Sequence, residues 1–201
     1  DLMIVDDGAG GTNRKATMTR LATYMGTKIG GGMDFLGSSG AISDAATVQF
    51  TSKIDASKYD SYKFFFHAVL PATDGENLAA ELSENNGTAY DSTSGNYHKV
   101  LEENAGTGNL SYLQIVAGVD DAQGGYSGEV QLFNAGSSSS NTLLLQRGIS
   151  GHNSGTASDF RYSDRGGAYV ASTAAHTAIQ FKFTSGNIAS GEITMFGVVN
   201  S

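Results

Sequence analysis

Residues 62–70 read YKFFFHAVL, and this run decides the fold. Phe64, Phe65 and Phe66 stand in succession, too apolar for either face of a strand to be fully solvated. Pro71, Ala72, Thr73, Asp74 and Gly75 then supply turn chemistry. In the next run, Leu78, Ala80 and Leu82 alternate with Glu81 and Ser83, and Asn85-Asn86-Gly87 closes it as a turn. Upstream, Val48 and Phe50 alternate with Thr47, Gln49 and Thr51, the period of two of a half-buried strand.

The pattern continues toward the C-terminus. Residues 110–117 (LSYLQIVA), 128–133 (GEVQLF) and 142–147 (TLLLQR) read as strands, with a serine-rich loop over 136–141. Residues 97–101 fit a strand or a helical turn equally. Residues 160–162 and 168–171 flank a Ser-Asp-Arg-Gly-Gly turn at 163–167. Ile179, Phe181 and Phe183 alternate with Gln180, Lys182 and Thr184; Ser185-Gly186-Asn187 turns the chain; Ile193 and Met195 resume the alternation. Short strands, frequent turns and no long helical pattern predict a mainly β protein, a jelly-roll-like antiparallel β-sandwich over residues 46–201. No repeat of fixed period is present, which argues against propellers and solenoids.

Ahead of the sandwich, residues 1–30 predict a short strand-turn-helix segment. Leu2, Met3, Ile4 and Val5 form a brief extended run, and residues 6–13 a glycine-rich turn. Thr17 is placed to cap a small helix with Met18, Leu21, Ala22 and Met25 on one face. Strand, glycine loop and helix invite a nucleotide-binding reading, but the residues refuse it. Lys15 lies between Arg14 and Ala16, so the Gly-Lys-Ser/Thr of a phosphate loop is missing, and Asn13 stands where a dinucleotide fingerprint needs its third glycine. Residues 31–45 read as a glycine-rich linker with Phe35 and Leu36 as apolar anchors. Met18, Leu21, Met25, Phe35 and Leu36 are therefore the residues expected at an interface between subunits.

Bulk composition excludes several classes. The formal charge is −8 with only 12 Lys and Arg, which lacks the basic footprint of a nucleic-acid binder. The same acidity opposes anionic lipid surfaces, and no apolar run is long enough for a helical span, so neither nucleic acid nor membrane insertion is expected. With no cysteine, disulfides and thiolate-zinc sites are ruled out. The chain opens on Asp1 rather than methionine, which suits a fragment.

Catalytic and metal chemistry finds little purchase. His67, His98, His152 and His176 are dispersed without a ligand spacing, and no nucleophile elbow is present. His98 and Glu102 stand four apart, the spacing of a surface helical pair. The acidic stretches at 74–77 and 120–121 carry oxygen ligands of the kind calcium takes, without the twelve-residue loop pattern. No catalytic residue, metal ligand or cofactor is assigned. Tyr90, Tyr97, Tyr126, Tyr162 and Tyr169 are the candidates for glycan contact, since tyrosine stacks on sugar rings while its hydroxyl stays hydrogen-bonded.

Two stretches carry a family resemblance. The aspartate-led apolar run at 1–5, the Gly/Asn turn and basic pair at 8–15, and the Thr-to-Tyr helix at 17–24 resemble a joint segment of tailed-phage virion proteins. Residues 48–87, VQFTSKIDASKYDSYKFFFHAVLPATDGENLAAELSENNG, with the closing hairpin AIQFKFTSGNIASGEITMF at 178–196, resemble a module of marine phage structural proteins of tail-fibre or appendage type. Together they span about half the chain. The resemblance implies a structural virion component assembled in the host cytoplasm, a homo-oligomer taken as a trimer, with identical subunits and other virion proteins as partners and no enzymatic role. A receptor-binding module for host surface glycans is the alternative, and a polysaccharide depolymerase stands behind it.

Overall fold

Alternation along the phenylalanine run sends Tyr62, Phe64 and Phe66 inward and leaves Phe65 and His67 exposed on the other face. The computed structural model describes residues 2–5, 14–20, 32–100, 107–152 and 159–199. Two units result, Asp1–Met33 and Asp34–Ser201.

In the first unit, β1 (Leu2–Val5) pairs antiparallel with β2 (Arg14–Thr17), Leu2 lying opposite Thr17. The second strand takes in the basic pair Arg14-Lys15, which was expected between the turn and the helix. An isolated four-residue strand exposes a ladder of backbone groups, and β2 satisfies it. Residues 18–20 are helical. The turn at 6–13 and the rest of the expected helix, Leu21, Ala22 and Met25 included, lie outside the described residues.

The second unit is an antiparallel β-sandwich. Its smaller sheet runs β10 (Leu113–Val119), β7 (Glu76–Ser83), β14 (Ala178–Phe183), β5 (Val48–Thr51). Its larger sheet runs β3 (Met33–Ser38), β15 (Ile188–Val199), β6 (Tyr59–Pro71), β11 (Tyr126–Phe133), β12 (Leu143–Gly151), β13 (Phe160–Tyr169), β8 (Tyr97–Val100), β9 (Thr107–Leu110). A further strand, β4 (Ile42–Ala45), also pairs with β15. Leaving aside β12 and β13, and β3, β4 and β15 beyond β6, the two sheets read β5-β14-β7-β10 and β6-β11-β8-β9, which is jelly-roll connectivity with one hairpin inserted in the larger sheet and three strands added at its edge.

The core lies between the inward faces. Phe181 of the smaller sheet meets Phe64 and Phe66 of the larger, each with ring centroids 5.0 Å away and nearly perpendicular. Phe50 packs edge-on against both Phe64 and Phe181. Edge-to-face contacts of this kind add to area burial because the positive ring edge meets the negative face.

Two expectations from sequence fail here. Within the linker expected over 31–45, residues 33–45 carry β3 and β4, with Ile42 in the core and Leu36 and Ala45 packed against it. Glycines on either side hid the strands, and β15 supplied the partner that local sequence cannot show. Residues 163–167 are likewise not a turn. They sit mid-strand in β13, whose register with β12 is continuous from Leu143 opposite Ala168 to Gly151 opposite Phe160. Ser163 points inward to Gln146, Asp164 outward to Arg147, and a side chain at Gly167 would press on Leu113. Turn-favouring residues were chosen for cross-strand fit.

Bulges in β15 bring one glycine into play. Gly191 has φ +121°, and a Cβ there would stand 2.7 Å from Val69 Cα. Both backbone geometry and space refuse a side chain. Gly191→Ala is expected to cost about 2–3 kcal/mol in urea unfolding, a loss beyond ordinary strand substitution.

Candidate functional site

Residues 84–96, between β7 and β8, fold over the edge of the sandwich and leave a recess. Asn86, in left-handed conformation, starts the excursion; its carboxamide oxygen accepts the Ser52 amide at 2.6 Å, and its own amide donates to Thr177. Asn85 Oδ1 accepts the Ala89 amide and the Ser83 hydroxyl. Tyr97 anchors the return: its hydroxyl accepts the Leu82 amide at 3.1 Å and donates to the Asp91 carbonyl at 2.9 Å. The recess encloses about 450 Å³, lined by this loop together with Tyr169 and His176.

Asp91 organises its floor. One carboxylate oxygen accepts the Thr93 amide; the other accepts Asn96 Nδ2 at 2.7 Å and the Tyr169 hydroxyl at 2.8 Å. Burial alone pushes the Asp91 carboxyl upward, but those hydrogen bonds more than offset it and hold the group below the usual range. Asp91 is thus a fixed anion. Burial raises the Tyr169 phenol, to about 12, with the bond to Asp91 adding to the rise.

His176 is 2% exposed and stands perpendicular to the Tyr169 ring, with centroids 4.7 Å apart. Its Nδ1 meets the Thr142 hydroxyl at 2.9 Å, while Nε2 is buried with no protein partner. Burial drives its pKa down, with Glu84 and Asp91 opposing in part. An imidazole with a depressed folded pKa contributes stability that is full above the unfolded value, about 6.5, and lost as pH falls from there toward the folded value. Urea midpoints are therefore expected to fall between about pH 7 and 5.5, and His176→Gln to flatten that slope.

A second feature is the outward face of the larger sheet. Phe35, Phe65 and Phe196 form an aromatic cluster there, Phe196 lying 5.7 Å from Phe35 and 5.6 Å from Phe65. Beyond it, cross-strand register sets Leu145 opposite Gly166, Arg147 opposite Asp164, and Ile149 opposite Tyr162. Leu145, Ile149 and Tyr162 are exposed, at 46%, 51% and 65%. Between the apolar rows run four charges in two pairs, Lys63–Glu129 at 3.6 Å and Arg147–Asp164 at 3.3 Å. This stretch of the face is neutral although the chain carries −8.

The residues singled out from sequence divide unevenly. Tyr90 and Tyr169 line the recess. Tyr97 and Tyr126 are fully buried, which corrects their reading as sugar contacts. The Tyr126 hydroxyl bonds inward to Gln146, and desolvation raises both phenols. Tyr162 is exposed, but on the outer sheet face. Phe35 is 63% exposed on that same face, whereas Leu36 packs against the core and is not free for a partner. Met18 is 52% exposed.

Folding also brings together the two acidic stretches: carboxylate oxygens of Asp74, Asp120 and Asp121 lie within 4.8 Å of one another. Asp74 and Asp121 are solvent-exposed, and Asp120 already caps the amides of Ala122 and Gln123. His98 belongs to strand β8, and its partner in the supposed helical pair, Glu102, lies outside the described residues. His67 is exposed on the outer face, and His152 stands 3.6 Å from Asp159. Sequence reasoning missed Glu84, Asp91, Asn96 and His176, because only folding gathers them. The one local signal was Asp91 two residues before Thr93, the spacing of an Asx turn.

Fold and surface define a class, an antiparallel β-sandwich with a polar recess at one edge and a partly apolar outer sheet face. The chain matches no protein-family model and no curated protein.

Proposed function

We propose that this chain is a structural subunit of a phage virion, a tail-fibre or appendage component that assembles as a homo-oligomer. The observation that supports the reading best is the outward face of the larger sheet. Large exposed apolar side chains clustered on one sheet face are a mark of association surfaces. A neighbouring copy suits the stretch around Leu145 and Ile149 because its four charges are already paired, so another acidic chain packs against it without the repulsion that the rest of the surface imposes. Phe35, singled out from sequence as an anchor, stands in the aromatic cluster of that face. The resemblance of residues 48–87 and 178–196 to marine phage structural modules points the same way.

Assembly takes place in the host cytoplasm and the product is carried on the particle. Antibody labelling of purified particles is the test of that placement. Regularly spaced label on an appendage is expected; its absence from particles overturns the reading.

A further inference from the structure

We propose that the recess between residues 84–96 and the Tyr169–His176 wall binds a neutral, hydroxyl-rich sugar. The proposal deepens the glycan-binding alternative and does not depend on assembly. Its first support is volume: about 450 Å³ lies inside the span of about 300–1,000 Å³ typical of small-ligand sites. Its second is the donor and acceptor set. Asp91 is held ionised by four donors, the Thr93 amide and side chain, Asn96 Nδ2 and the Tyr169 hydroxyl, so it sets the recess floor and its negative charge while other groups meet a ligand's hydroxyls. Glu84 offers acceptor oxygen from the exposed rim. With Asn85 Oδ1 occupied, the Asn85 amide nitrogen is left as a donor beside it. Alternating acceptors and donors are what vicinal hydroxyls require.

Aromatic surface is the third support. Tyr90 is half-buried in the wall, where its ring gives an apolar platform of the kind sugar C–H faces pack against. The fourth is His176, almost wholly buried in the lining, whose Nε2 lacks a protein partner. An orphaned buried nitrogen beside a recess marks a place where a polar ligand or its bridging water completes the site.

Charge sets the class of sugar. Two carboxylates line the recess, and no Lys or Arg does. Sialylated and uronate-bearing glycans therefore meet uncompensated repulsion, while neutral hexoses do not. Asp91, fixed as an anion, serves as an acceptor rather than a proton donor, which fits binding rather than hydrolysis.

Isothermal titration of the full chain with neutral oligosaccharides ending in glucose, galactose or mannose, and with sialylated counterparts, tests this. Saturable binding of at least one neutral sugar is expected, with sialylated sugars at least about tenfold weaker. Glu84→Gln, at an exposed position, should weaken binding several-fold without altering the fold. Tyr90→Ala should abolish binding, while Tyr90→Phe, which keeps the ring, should restore it. No neutral sugar bound at millimolar concentration overturns the proposal, as does a preference for sialylated sugars or affinity unchanged in Glu84→Gln and Tyr90→Ala. A Leu145→Asp variant should bind sugar as wild type does, which separates failure of the recess from failure of assembly.

Discussion

Phe181→Ala should shift the urea midpoint far enough to correspond to a loss of about 3–5 kcal/mol, a large part of a domain's stability. Phe181 is fully buried at the centre of β14 and is the residue on which the two sheets meet, touching the rings of Phe64, Phe66 and Phe50. Truncation removes the transfer energy of the ring and leaves a cavity whose walls belong to different sheets. Those walls cannot close without moving a hydrogen-bonded ladder. The slope of the urea transition should stay the same, since the denatured chain is unaltered. Phe35→Ala is the contrast: its ring is mostly exposed, and its loss should cost less than about 1 kcal/mol in the isolated chain. Equal effects at the two positions would place the inter-sheet core elsewhere.

Leu145→Asp carries the second large effect, on assembly rather than folding. Leu145 stands in the outer row of β12, opposite Gln131 on one side and Gly166 on the other. In the free chain a carboxylate there remains hydrated, so the circular dichroism spectrum and the thermal midpoint should change little. In an assembly the same carboxylate is desolvated, joins a chain already at −8, and finds the nearby Lys63 and Arg147 already paired with Glu129 and Asp164. Placing a buried charge without a partner costs several kcal/mol per site, so dissociation by about a hundredfold or more is expected. Ile149→Lys should do the same with the opposite charge. If either variant assembles as wild type does, this face is not the contact.

Fold class was legible where apolar and polar side chains alternate, even in β14, whose Gln180 is itself buried. Around Phe181 and around Phe50, apolar and polar residues alternate cleanly, and both stretches are strands. Legibility failed where tertiary pairing overrode local preference. Ser-Asp-Arg-Gly-Gly at 163–167 has every mark of a turn, yet β12 on one side and β8 on the other hold it extended. Residues 33–45 are surrounded by glycine, and only the edge of β15 makes strands of them. Residues 142–147 were readable as a strand but not as to which leucines are exposed, since three in succession look alike from either side. Leu144 is the buried one, and its neighbours Leu143 and Leu145 face outward.

The candidate recess was visible only in fragments. Tyrosine alone does not declare its surroundings: of the five singled out, two line the recess, two are core and one lies on the outer sheet. Asp91, Tyr169 and His176 are brought together by the return of the chain across the sheet edge, over sequence separations that no local pattern spans.

Self-association through the outer sheet face is the central claim, and the mass of the full chain in solution tests it most directly. Sedimentation equilibrium at micromolar concentration should give a closed oligomer, a trimer of the 20.9 kDa chain, that collapses to single chains in Leu145→Asp. A wild-type chain that sediments as a monomer across that range would contradict it.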